Sequence, residues 1–159
     1  MKINICTQHV DHRDLKVAER IHAVQMAAYR QEAELLGVKD FPPLAVSVRD
    51  IQELPETFLV AFAGTETIGA ISTAPDEDVG GHSIESLVVM PCWQRQGVAR
   101  ILMEAVVAEY GAAPMAVQTA AKNLPVLSLY GKFGFVEFKR WCVGAEQLEL
   151  VRLRRPPAG

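Results

Sequence analysis

Apolar positions repeat along this chain with two periods, two residues and about three and a half, and the switches between them mark its elements. Lys2 to Thr7 alternates around Ile3 and Ile5 and reads as a first strand. Ile21, Val24, Ala28, Leu35 and Leu36 trace a helical stripe. Asp11 or Asp14 can start that helix by accepting from first-turn N–H groups, and Gly37 stops it. Phe41-Pro42-Pro43-Leu44 is then a stiff apolar connection, and Ser47 to Leu54 adds a short helix. Thr57 to Ala63 and Thr67 to Thr73 are strands on either side of the hairpin turn Gly64-Thr65-Glu66. A polar loop, Pro75 to Gly81, leads into a strand over Ser83 to Met90, which Pro91 closes because it has no N–H to continue a ladder. Val98, Ile101, Leu102, Ala105 and Val106 recur at helical spacing until Tyr110-Gly111. Met115 to Thr119 is a short strand. Asn123 then caps a helix with Pro125 in its first turn, where a missing N–H costs little, and the helix ends at Gly134. Phe135 to Lys139 and Glu146 to Leu153 are the last two strands. With 159 residues and no repeat, linker or low-complexity stretch, the pattern predicts one domain, residues 1–159.

The junction between the strand ending at Met90 and the helix starting at Val98 carries the most chemistry. Gly97 lacks a Cβ, so a ligand can approach the backbone closely, and the free N–H groups and dipole of the helix start attract an anion. Arg95 and Arg100 add positive charge beside it. The dinucleotide fingerprint Gly-x-Gly-x-x-Gly and the Walker loop ending in Gly-Lys-Ser/Thr are both absent.

Gln94-Arg95-Gln96-Gly97-Val98-Ala99 resembles the Gln/Arg-x-x-Gly-x-Gly/Ala signature of the GNAT superfamily of N-acetyltransferases, and Glu85-Ser86-Leu87-Val88-Val89-Met90-Pro91 precedes it at the family's distance. The element order also matches that family almost from end to end. The resemblance implies an α/β (α+β) fold, with helices on both faces of a mixed, mostly antiparallel, splayed sheet. It further implies acetyl-CoA as cosubstrate, its pyrophosphate on the backbone of Gln94 to Ala99 with Arg100 nearby, and its pantetheine arm along the main chain of Leu87, Val88 and Val89.

Acyl transfer from a thioester to an amine needs a proton acceptor, a polarised carbonyl and a destination for the thiolate. Glu85 stands where many family members place a glutamate that draws the amine proton through water; a surface strand carboxylate is the alternative, and His82 is the nearest substitute. Tyr130, in Leu129-Tyr130-Gly131-Lys132-Phe133-Gly134-Phe135, resembles the family tyrosine that points at the sulfur and can donate to the departing thiolate; a core tyrosine is the alternative. Asn123 matches the family asparagine near the pantetheine, although capping explains it equally well. Gly131 and Ala99 depart from the commoner residues of the motif. The acceptor is expected between the first helix, with Tyr29 and Glu32, and the connection carrying Phe41. Glu32 and Glu34 could draw a cation or form a solvated face.

Composition narrows the remaining classes. Half the residues are hydrophobic, yet charges break every apolar stretch before the ~18 residues of a membrane span. The expectation is a soluble protein without a signal segment, acting away from membranes. A net charge of −3 argues against a nucleic-acid partner. The basic run Arg152, Arg154 and Arg155 reads as a solvated edge strand and tail. Three cysteines at unrelated positions form neither a disulfide framework nor a metal pattern, so a reducing cytoplasm and no metal are expected. Cys92 has no histidine placed to activate it as a nucleophile. The reading is an acetyl-CoA-dependent N-acetyltransferase whose small-molecule or peptide amine attacks directly in a ternary complex. A non-catalytic acyl-CoA sensor is the alternative. A homodimer through the C-terminal strand is expected by analogy.

Overall fold

The computed structural model describes residues 4–157, so Lys2 and Ile3 of the first expected strand lie outside the described residues. The strands are β1 (Ile5–Val10), β2 (Thr57–Ala63), β3 (Glu66–Asp76), β4 (Gly81–Val89), β5 (Met115–Ala120), β6 (Val136–Val143) and β7 (Leu148–Arg155). The helices are α1 (Leu15–Leu36), α2 (Val48–Glu53), α3 (Val98–Tyr110) and α4 (Leu124–Lys132), with short 3-10 turns at Pro42–Ala45 and Pro91–Trp93. Among the described residues seven strands form one sheet in the order β1-β2-β3-β4-β5-β7-β6. Every pairing is antiparallel except β4 with β5, which α3 joins.

Alternation along β2 shows how the layers are divided. Phe58 and Val60 pack with Ile21 and Val24 of α1 and Ile51 of α2. Leu59 and Ala61 point the other way, into the core shared with Leu102, Met103 and Val106 of α3 and Tyr130 of α4. Because both faces are covered, β2 reads as an unbroken apolar run rather than an alternation. Asp14 caps α1 by accepting from the Val17 N–H at 3.1 Å, and Gly37 ends it in the left-handed conformation.

Several boundaries differ from the sequence reading. β3 continues through Pro75 to Asp76, shortening the polar loop to residues 77–80. This is possible because β2 pairs with β3 only as far as Thr73, so Pro75 lies where one edge of β3 is free and no N–H is needed. β6 extends to Val143, and β7 is displaced to Leu148–Arg155, behind a turn in which Gly144 and Gln147 have positive φ. Leu35 is exposed while Leu36 is buried, since adjacent helical positions face about 100° apart. The basic run is neither an edge nor a tail: β7 pairs on both sides, with β5 and with β6. Arg152 pairs with Asp76, and the Arg155 Nε–H donates to the Phe133 carbonyl at 2.8 Å. Among the described residues the C-terminal strand β7 therefore has no free edge to which a second copy could add a strand.

Gly81 begins β4 against Pro114. A Cβ there would lie 1.9 Å from the Pro114 carbonyl oxygen, and that same oxygen accepts the His82 N–H at 3.1 Å. Only glycine permits this approach.

Candidate active site

The two parallel strands stay together briefly. β4 and β5 pair at His82–Met115, Ser83–Ala116 and Ile84–Val117, after which β4 follows β3 and β5 follows β7. The β5-facing side of Glu85 to Val89 is left without a ladder partner, and its main-chain groups are free for a ligand. A β-bulge adds to the distortion. Ser72 faces Ser86 and Thr73 faces Ile84, so Glu85 is the extra residue, and such a bulge re-aims its side chain. The Ser83 hydroxyl donates to the Glu85 carboxylate.

Below the divergence lies a cavity of about 370 Å³. Glu85 and Leu87 of β4, Tyr130 of α4, Asn123 before α4, Tyr29 and Glu32 of α1, and Phe41 all line it. The acceptor-side and catalytic candidates thus converge from segments far apart in sequence. The His22 Nε2–H donates to the Val46 carbonyl at 2.9 Å, holding the Pro42–Ala45 turn against α1. The Glu146 carboxylate accepts the Lys39 and Asp40 N–H groups at 3.2 and 3.3 Å, tying the end of α1 to the β6–β7 turn. Phe41 meets Tyr29 edge-on, with ring centroids 6.1 Å apart.

Burial is the main influence on the ionisable groups. Tyr130 is 3% exposed, and burial raises its phenol well above the usual tyrosine value, helped by the negative charge of Glu32 and by Tyr29. Among the described residues no side chain hydrogen-bonds to its hydroxyl. The Tyr29 phenol is also raised by burial, then by Glu32 and Glu56, against a hydrogen bond with Ser86. Burial raises Glu32 too, and the Asn123 amide, which donates to it at 3.4 Å, opposes this. Asn123 stands at the N-cap position of α4 but makes no capping bond, so the capping expectation is corrected in favour of this contact with Glu32.

The loop before α3 is a separate arrangement. Gln94, Arg95, Gln96, Gly97 and Arg100 are exposed, Ala99 is half-buried and Val98 is buried as the first core residue of the helix. Arg95 and Gly97 have φ of 63° and 80°, both left-handed. Such a conformation costs a non-glycine residue such as Arg95 on the order of 1 kcal/mol or more. Gly97 is the N-cap of α3 and offers no capping side chain, so the first-turn N–H groups remain available to an anion. An uncapped helix start beside a strand with an open edge fits a pyrophosphate followed by an extended arm. Arg100 is drawn away to Glu104 at 2.9 Å. Val88 and Val89 are buried on opposite faces of β4, so only their main chain can take part in binding.

Sequence reasoning missed Glu56. It precedes β2, half-buried, and its carboxyl is raised by burial and by the neighbouring charge of Glu85, against a Ser72 hydrogen bond and His12. Ser72 bonds in turn to Ser86 at 2.6 Å. No local pattern marked this residue; only strand register brings it to Glu85. Conversely, His82 stacks on Tyr110 with centroids 4.0 Å apart and does not line the cavity, nor does exposed Cys92. Glu34 is exposed, being about 200° around the helix from Glu32.

A family model described as the acetyltransferase (GNAT) family matches residues 19–135. The UPF0157 protein YqkA of Bacillus subtilis (strain 168) is 34% identical over 129 residues, which make up 80% of this chain and 37% of that protein. The chain therefore spans well under half of that relative. The ribosomal-protein-S18-alanine N-acetyltransferase from Escherichia coli has a similar fold, with a TM-score of 0.75 at 17% identity over 98% of this chain and 97% of that one. The structure of yncA from Salmonella typhimurium with its cofactor acetyl-CoA gives 0.73 at 16% identity, covering 98% and 95%.

Proposed function

This chain belongs to the acetyltransferase (GNAT) family, and from that premise we propose that it acetylates a primary amine of a small molecule by direct attack within a ternary complex. Bound acetyl-CoA supplies an acyl thioester. The loop Gln94 to Ala99 would hold its pyrophosphate on main-chain N–H groups, and the open edge of Leu87 to Val89 would pair with its arm and polarise the carbonyl. Asn123 would stand beside the same arm. A free alkyl amine has a pKa of about 10.4 and arrives protonated at neutral pH, so Glu85 takes that proton, directly or through water. The nitrogen forms the new bond to the carbonyl carbon as the carbon–sulfur bond breaks. Tyr130 donates its phenolic proton to the leaving sulfur, and the acetylated nitrogen gives its second proton, through water, to the phenolate so formed.

The observation that carries this reading is the cavity under the β4–β5 divergence, which has Glu85 on one wall and the buried Tyr130 on another. The exposed, unpaired cysteines Cys6, Cys92 and Cys142 suit a reducing cytoplasm as the setting. The test is to incubate the pure protein with acetyl-CoA and a pool of metabolite amines and short peptides, and to seek acetylated products by mass spectrometry. A dominant small-molecule product that disappears in Tyr130→Phe supports the assignment. Confirmed acetyl-CoA binding with no product from any amine overturns it and leaves an acyl-CoA sensor.

A further inference from the structure

The cavity is one-sided in charge. Glu32 and Glu85 are its ionisable acids, and among the described residues no lysine, arginine or histidine lines it. Among the described residues neither carboxylate has a cationic partner; the ion pairs of the protein lie elsewhere. Between the acids the walls are apolar, with Leu87, Val117, Val126 and Leu150, and the Tyr29–Phe41 pair stands at one side. Tyr130, 3% exposed and among the described residues without a side-chain hydrogen bond to its hydroxyl, lies close enough to Glu32 and Tyr29 for both to raise its phenol.

We propose that the acceptor is an aliphatic diamine or polyamine, with the reacting amine at Glu85, its methylene chain along the apolar walls and a distal ammonium at Glu32. This rests on the acetyl transfer proposed above. A carboxylate on the acceptor would enter a space with two negative charges and no cation, which is the repulsive half of specificity. An ammonium at Glu32 satisfies a half-buried carboxylate that, among the described residues, accepts only a long hydrogen bond from Asn123. The rings of Tyr29 and Phe41 favour a cation as well. One amine is acetylated and gives its proton to Glu85, while the other stays charged and sets the register. The two acids thus have separate tasks.

The experiment compares α,ω-diamines from 1,3-diaminopropane to 1,6-diaminohexane with n-alkylamines of equal length, and with ornithine and lysine, which add a carboxylate to 1,4-diaminobutane and 1,5-diaminopentane. Thiol release from acetyl-CoA gives kcat/KM, and calorimetry with coenzyme A gives affinity without turnover. The best diamine is expected to exceed its monoamine and its amino-acid counterpart by about tenfold or more, the worth of one charge-assisted contact. Glu32→Gln, which keeps the side chain's shape, should weaken calorimetric binding of that diamine by about tenfold. Monoamines or amino acids acetylated as well as diamines, or equal diamine binding by Glu32→Gln, would overturn this inference and leave acetyl transfer standing. No transfer to any amine despite acetyl-CoA binding would overturn both.

Discussion

The loop before α3 and the cavity below the strand divergence are both polar sites, but they are built from different parts of the chain's chemistry. The loop is made of consecutive residues whose side chains mostly face solvent, and its capacity to bind resides in main-chain N–H groups fixed by two left-handed φ angles. The cavity gathers side chains from α1, the Phe41 connection, β4, β5, α4 and β7, several of them with pKa values displaced by burial. A backbone site should respond to substitutions that change conformation and tolerate those that change side-chain chemistry. A side-chain site should do the reverse.

The largest expected effect is in the cavity. Tyr130→Phe removes one oxygen and should lower kcat about 10²-fold with acetyl-CoA affinity nearly unchanged, as measured by steady-state kinetics and calorimetry. Equal loss of affinity would erase the separation between the sites. Next is the loop: Gly97→Val imposes a β-branched residue on φ 80° although its Cβ has open space. Acetyl-CoA affinity should fall about tenfold, for a strain of 1–3 kcal/mol, while Arg95→Gln, which leaves the backbone alone, should change it less.

A smaller effect concerns Glu56. Burial first, then Glu85, raises its folded pKa above the ordinary carboxyl value of 4.5, so its contribution to stability is intact below pH 4.5 and is lost as pH rises through the folded value. Glu56→Gln should therefore raise Tm at pH 7 but not at pH 4, read by thermal melts; an equal shift at both would assign the effect to packing. Smallest of all, Gly131→Ala places a Cβ into open space on the exposed side of α4 and should stabilise the protein by up to about 1 kcal/mol without changing turnover.

How far each site was legible follows from the same contrast. The loop could be read directly, because Gly97, its neighbouring arginines and the helix stripe starting at Val98 are contiguous and their physics is local. The apolar runs of β2 and β4 likewise announced buried strands. Glu85 and Tyr130 could be singled out only by resemblance to a family, since nothing local distinguishes a working carboxylate from a solvated one. Glu56 stayed hidden because a bulge between Ser72 and Thr73 brings it toward Glu85, and bulges leave no mark in a hydrophobic pattern. Asn123 was misread as a cap because its partner, Glu32, is distant in sequence. Pro75 was assigned to a loop because the sequence does not say which edge of β3 is free.

The close approach of Gly81 to Pro114 gives the cleft its mechanics. The two strands form a wedge whose apex is pinned where a Cβ would collide with a carbonyl oxygen at 1.9 Å. The last shared pair is Ile84–Val117, and β4 runs five residues further to Val89, about 17 Å along which it stays paired with β3 and has no partner on its β5 side. Gly81 therefore marks where the cleft begins, at the end opposite its mouth, and β3 and β7 set how far it opens by holding the two strands apart.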